Sequence, residues 1–179
     1  TLAEIELATP RSTAEAFRTI PGVRSESTGG EGNANIAVRG LPVASGGAKF
    51  LQLQEDGLPV MQFGDIAFGN ADIFMRLDST VQSVESIRGG SASTAASDAP
   101  GGIINFISKT GENESGSVST TVGLDYDSIR TDFEYGTYLN DSVRYHIGGF
   151  VRQGEGPPET GSHTTKGSQN KDNPKKEKK

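Results

Sequence analysis

The chain has no cysteine among its 179 residues, which removes a disulfide scaffold and any thiolate metal site and leaves the compartment open. Aromatic residues are scarce at 7%, and hydrophobic residues reach only 32%. Against 24 glycines, that balance points to many turns and short strands rather than a helical bundle, because glycine reaches positive φ cheaply but weakens helices. No apolar run approaches the roughly 18 residues of a membrane helix. Spanning helices are thereby excluded, whereas spanning strands are not, since their alternation leaves almost no hydropathy signal. The opening Thr1-Leu2-Ala3-Glu4 does not read as a signal peptide. A basic face is missing as well: the net charge is −6, and six lysines from Ser162 onward face only Asp172 and Glu177, so the body is more acidic than the whole. Nucleic-acid binding needs clustered Lys and Arg against phosphates and is disfavoured. The sequence holds no nucleophile elbow, no phosphate-cradling Gly-x-x-x-x-Gly-Lys and no carboxylate or histidine set of recognisable spacing, so it nominates no catalytic residue and reads as no enzyme. His146 and His163 each lack a second plausible ligand, which argues against a metal site, and no cofactor is indicated.

Local signals are nonetheless dense. Ser12-Thr13-Ala14-Glu15 has the form of a capping box and predicts a short helix that turns Ala16, Phe17 and Ile20 inward and stops at Pro21-Gly22. Ser25 to Asn33 reads as a polar loop. Ala34, Ile36 and Val38 alternate with Asn35, Ala37 and Arg39, the pattern of a half-buried strand ended by Gly40. Pro42 to Gly47 reads as a loop and Phe50 to Gln54 as a strand. Asp56-Gly57 suits a type I′ turn into a return strand, Leu58 to Met61. Gln62 to Asn70 is irregular, and Ala71 to Leu77 predicts a short helix with Ile73, Phe74 and Leu77 on one face. Val81, Val84 and Ile87 fall at helical spacing, but their β-branched character favours a strand closed by Gly89-Gly90. Ser91 to Ala99 reads as a loop and Ile103 to Ile107 as a buried strand.

After Thr110 the texture becomes strictly alternating. Val118, Thr120, Val122, Leu124 and Tyr126 alternate with small or polar residues. Thr131, Phe133, Tyr135 and Thr137 alternate with Arg130, Asp132, Glu134 and Gly136; Val143, Tyr145, Ile147, Gly149 and Val151 alternate with Arg144, His146, Gly148, Phe150 and Arg152. Three strands, 117–126, 129–138 and 142–152, are predicted, each of about ten residues and about 25 Å in rise at a tilt near 40°. All their charged side chains fall on one face. Two readings remain open: a barrel wall between lipid and a wet lumen, or a soluble secreted β-rich binding module whose apolar face packs on a core. They differ in whether Val118, Phe133 and Ile147 are covered. Pro157 to Lys179 holds no aliphatic or aromatic residue beyond proline and is expected to be disordered.

Five segments in order resemble the TonB-dependent outer-membrane receptors. They are Ala16-Phe17-Arg18-Thr19-Ile20-Pro21-Gly22-Val23, Asn35-Ile36-Ala37-Val38-Arg39-Gly40-Leu41, Asp56-Gly57-Leu58-Pro59-Val60, Val81-Gln82-Ser83-Val84-Glu85-Ser86-Ile87-Arg88-Gly89, and Gly101-Gly102-Ile103-Ile104-Asn105-Phe106-Ile107-Ser108-Lys109. After the second Arg-Gly the family commonly has proline and then an aromatic-glycine pair; Gly90 and Ala95-Ala96 stand there instead. The resemblance implies an α+β fold: a mixed-sheet plug domain over 1–110, a three-stranded antiparallel β-meander from the start of an outer-membrane β-barrel over 111–153, and a disordered polar, Lys-rich tail over 154–179. It implies a place in the outer membrane of a Gram-negative bacterium, in contact with lipid, and a role in gating energy-coupled uptake of a scarce small solute: a ferric chelate, a cobalamin or a carbohydrate. It implies two protein partners, a TonB-type energy-transducing protein and the remaining barrel strands of a receptor that closes about 22 strands around its plug; with three strands, this chain is expected to be a non-transporting fragment. The coupling segment normally precedes the plug, and Leu2 to Leu7 is the nearest match. Carried over by motif, Arg39 and Arg88 are the plug-barrel lock residues, with Glu85 supporting them. Solute contact falls to Pro42 to Gly47 and to Gln62, Phe63, Asp65 and Asn70.

Overall fold

The computed structural model describes residues 5, 10, 12–27, 34–42, 50–61, 71–94, 96, 97, 99–124, 128–155, 162–166 and 169–172. They divide into two compact units, the first holding residues up to 77 and 81–108, the second 78–80 and the chain from 109.

In the first unit, helix α1 (Thr13–Arg18) starts where predicted: Ser12 Oγ accepts from the Glu15 N–H at 3.2 Å, occupying one of the donors a helix start leaves free. Its inner face is Ala14, Ala16 and Phe17. Behind it come strands β1 (Val23–Ser27) and β2 (Ala34–Val38), an antiparallel pair with Val23 opposite Val38. The expected loop from Ser25 therefore begins later. β2 is buried along most of its length and its backbone groups need a partner, which outweighs the polar side chains of Arg24 to Ser27.

Strands β3 (Leu51–Glu55), β4 (Leu58–Pro59), β5 (Val81–Arg88) and β6 (Gly102–Ser108) form a mixed sheet in the order β4-β3-β6-β5. β6 pairs parallel with β3 and antiparallel with β5. The Asp56-Gly57 turn has φ of 51° and 82°, the double positive value that a type I′ turn requires. The return strand is two residues rather than four, because Pro59 brings no N–H to extend the ladder. Leu53, Ile104 and Phe106 pack with Phe17, Ile36 and Val38, and the Phe17 and Phe106 rings meet edge to face at 6.1 Å. Ala92, Ala99 and Ile103 make a small second cluster. Ala92 arrives on a 3₁₀ turn, Gly90–Thr94, inside the span read as loop.

The helix expected over Ala71 to Leu77 is a single 3₁₀ turn, Ala71–Ile73. Ile73 and Phe74 point outward, Asp72 and Met75 are buried, and of the expected face only Leu77 packs on the core. Long-range bonds override the periodicity here. Asp72 Oδ2 accepts from the Ala34 N–H at 2.8 Å and Met75 O accepts from Thr13 Oγ1 at 3.1 Å, while locally Arg76 Nη1 donates to Ile73 O and Met75 O at 2.6 and 2.9 Å.

The second unit is a meander of β7 (Ser115–Gly123), β8 (Ser128–Asn140) and β9 (Val143–Glu155). Its register places Val118 opposite Phe133 and Tyr135 opposite Ile147, so the apolar residues of all three strands share one face. That face is uncovered: Val118, Phe133 and Ile147 are 75%, 44% and 61% exposed. The other face carries the charges and is the more buried, with the side chains of Asp132, Glu134 and His146 at 15%, 13% and 7%. Arg130 chelates Asp132 and lies 4.2 Å over the Phe150 ring. The burial is inverted relative to a soluble sheet. The tail departs from expectation too: β10 (Ser162–Lys166) pairs with β9, and β11 (Gln169–Asp172) with β10. An open strand edge recruits backbone whatever the side chains, so polar composition did not prevent pairing.

Two outcomes are expected. Burial pushes the Asp72 carboxyl up from 3.8 to about 6, with the Ala34 N–H and Arg76 pulling partly back. A folded-state value above the unfolded one means the folded chain binds the extra proton between pH 4 and 6; stability is fully present below pH 4, falls as pH rises through that window and levels above it. Thermal unfolding in detergent should show this slope, and Asp72→Asn should remove its contribution. Asp72→Ala, which removes the buried carboxylate that accepts from the Ala34 N–H, should cost about 1–3 kcal/mol. Separately, the uncovered apolar face should make the chain associate in detergent-free buffer and disperse in detergent, read by light scattering; a monodisperse chain without detergent would contradict it.

Candidate functional site

The two Arg-Gly ends of β2 and β5 meet at one corner of the first unit. Arg39 follows β2 with φ of 49° and Gly40 with 79°, so the chain turns sharply out of the strand. The Arg39 N–H donates to Gly22 O at 3.0 Å, which fastens this turn to the end of the α1 segment. Arg88 ends β5 opposite Gly102, and Gly89 (φ 80°) donates its N–H to Gly101 O at 3.0 Å. The Arg88 guanidinium donates to Pro21 O. A Cβ on Gly22 would lie 3.6 Å from Arg39 Cγ and 3.8 Å from Arg88 Nη1, and one on Gly89 would lie 3.6 Å from Arg39 Nη1. The Arg88 guanidinium thus lies at the Pro21-Gly22 turn, and Arg39 lays its stem against Gly22 with its guanidinium beside Gly89.

Their bonding differs. Arg88 is half-buried and held by a backbone carbonyl, whereas Arg39 is exposed and its side chain has no partner among the described residues. Two cations in one corner repel, and water screens them incompletely. A guanidinium can meet a carboxylate with two parallel bonds, so two of them in one corner suit an anion. Strand parity puts Glu85 on the opposite face of β5 from Arg88, next to Asn105 of β6, so Glu85 and Arg88 are not brought together. Gln62, Phe63, Asp65 and Asn70, with most of Pro42 to Gly47, lie outside the described residues. Among the described residues no group of three His, Asp or Glu could hold a metal.

Sequence reasoning named Gly101 and Gly102 only as the head of a family-like segment and not as the residues that place Arg88. A Cβ on Gly102 (φ 148°) would come within 2.5 Å of Ile87 O, and one on Gly101 within 2.7 Å of Phe50 O. The Gly-Gly doublet was the available signal, but only the strand pairing shows the close approach. Asp72 was missed as well, since its partner lies 38 residues away.

Residues 1–103 match the family model described as TonB-dependent Receptor Plug Domain. No curated protein matches the sequence. Among solved structures the chain is similar to the siderophore receptor PirA from Pseudomonas aeruginosa, at 22% identity over 92% of this chain and 29% of that one with a TM-score of 0.59. It is similar to the pyoverdine outer membrane receptor FpvA from Pseudomonas aeruginosa PAO1, at 20% identity over 84% and 21% with a TM-score of 0.61. A third likeness is the alcaligin outer membrane receptor FauA from Bordetella pertussis, at 19% identity over 89% and 26% with a TM-score of 0.60. At these identities the likeness is one of fold. The chain spans 29% or less of the length of each of these three receptors.

Gly102→Ala should therefore destabilise the chain by about 2–3 kcal/mol, because the methyl meets backbone that has no room to yield. Gly40→Ala, with nothing within 4 Å and only its φ of 79° at stake, should cost about 1 kcal/mol. Thermal unfolding of the two variants side by side checks the order.

Proposed function

The chain belongs to the TonB-dependent receptor plug domain family, and from that membership we propose that its first unit gates energy-coupled uptake of a scarce solute across the outer membrane of a Gram-negative bacterium. What carries this reading is the convergence of Arg39 and Arg88 at the Gly22 corner, with the Arg39 side chain unpartnered among the described residues. A guanidinium pair of this kind suits a lock on carboxylates of a barrel wall: bidentate bonds hold the plug shut, yet break singly under load. Carboxylates for that purpose would come from barrel strands beyond the meander, and the load from a TonB-type energy-transducing protein. Glu85, on the other face of β5, serves at most a neighbouring contact.

The meander supports the membrane reading. Its uncovered apolar face fits lipid and its buried charged face fits a lumen, whereas a soluble module would cover Val118, Phe133 and Ile147. For the solute we favour a ferric chelate, since the solved structures named above are siderophore, pyoverdine and alcaligin receptors. Gln62, Phe63, Asp65 and Asn70 remain the proposed contacts, with polar groups beside an aromatic ring.

In a complete receptor carrying this chain, Arg39→Ala with Arg88→Ala should loosen the plug. Each charge-assisted bond is worth about 1.5–3 kcal/mol, so the plug should release at lower urea and uptake of labelled ferric chelate should change. Unaltered plug release in the double variant would reject the lock. Normal uptake of cobalamin or a carbohydrate, with none of the chelate, would reject the solute class alone.

A further inference from the structure

On the buried face of the meander, Glu134 stands opposite Gly148 and Gly136 opposite His146. Glu134 Oε2 accepts from Lys109 Nζ at 2.5 Å and contacts His146 Nε2 at 3.0 Å, while its Oε1 accepts from Ser117 Oγ at 2.9 Å. One carboxylate thus joins β7, β8, β9 and the segment that follows β6. The glycines beside it are hollows. A Cβ on Gly148 would lie 2.8 Å from Thr80 Cγ2, and one on Gly136 would lie 3.0 Å from Gly111 Cα. Residues 78–80 and 109–111 occupy these hollows and are tied together by the Lys109 N–H donating to Thr80 O at 2.8 Å. Ser79 Oγ donates to Phe133 O at 2.8 Å, Asp78 Oδ1 accepts from the Thr80 N–H at 2.9 Å, and Tyr138 OH donates to Glu112 O.

These two short segments are the chain entering β5 and leaving β6. We infer that Glu134 is a positioning residue that clasps Lys109 and, with the Lys109–Thr80 bond, fastens the segments 78–80 and 109–111, through which the chain enters β5 and leaves β6, to the meander as a fixed point that holds when the first unit opens. The physical ground is the difference in bonding. The Arg39 and Arg88 corner awaits an external anion, whereas the clasp is complete within its own unit: a charge-assisted bond beside a histidine, in a site where no side chain larger than hydrogen fits at Gly136 or Gly148. Regions that open separately differ in such contacts, and a set of part-buried charge-assisted bonds over close-packed glycines opens less readily than its surroundings. The inference rests on the gating reading only for its purpose, which is to keep the plug attached while it is remodelled.

Trypsin reports the fastening directly, because Lys109 is itself a cleavage site and proteolysis follows the population of the opened segment. With the full chain in detergent and urea rising, cleavage after Arg18, Arg24 and Arg39 should come first, and cleavage after Lys109 should be about tenfold slower at the urea concentration where those sites open. Glu134→Gln should abolish the delay, while Lys109→Arg, still a trypsin site and still a cation, should keep it. Simultaneous cleavage at Arg39 and Lys109 in the unsubstituted chain overturns the inference whether or not Glu134→Gln folds. So does a delay that survives in Glu134→Gln. Neither readout involves uptake, so failure here is separate from failure of the gating reading.

Discussion

Strand β6 passes between β3 and β5 so closely at its start that neither Gly101 nor Gly102 can carry a side chain. The first unit depends on this approach. Parallel pairing with β3 brings Leu53 beside Ile104 over Phe17, and antiparallel pairing with β5 sets Arg88 opposite Gly102. From there the Arg88 guanidinium reaches the Pro21 carbonyl, at the turn to which Arg39 is also bonded. A backbone contact in the sheet thus fixes where two charges at its rim are presented. Because the contact is backbone against backbone, it leaves little freedom to adjust.

The two units solve burial in opposite ways. In the first, apolar side chains turn inward and the buried polar groups are answered one by one: Asp72 by the Ala34 N–H, Gln54 by Gln52, Thr13 by Met75 O. In the second, the apolar face is open and the most sheltered charges are paired in turn, Arg130 with Asp132, and Lys109 and His146 with Glu134. An inward charged face is costly only if unpaired, and an outward apolar face only if water lies against it. Lipid on one side and a polar interior on the other remove both costs, which is why the same alternation serves a membrane wall.

Much of the fold is legible in the sequence because it is local. The Ser12 cap, the Asp56-Gly57 turn and the alternation of β7, β8 and β9 act between residues a few positions apart, and each appears where the sequence put it. Arg39 and Arg88 are legible through family motifs rather than through any periodicity. Local reading fails at Ala71 to Leu77, at Ser25 to Ser27 and in the tail from Ser162, and each time a partner outside the segment supplies the bonds: Ala34 for Asp72, β2 for β1, and β9 for β10.

By itself, then, the sequence determined the types of most elements, the turn chemistry and the segregation of charge to one face of the meander, since capping, φ preference and side-chain period are properties of neighbouring residues. Only the tertiary structure decided which strands pair and in what register. That choice brings Arg39 to Arg88 across 49 positions and Lys109 to Glu134 across 25, because register is set by the packing of whole faces and by the close approaches glycine allows, and no short segment encodes either.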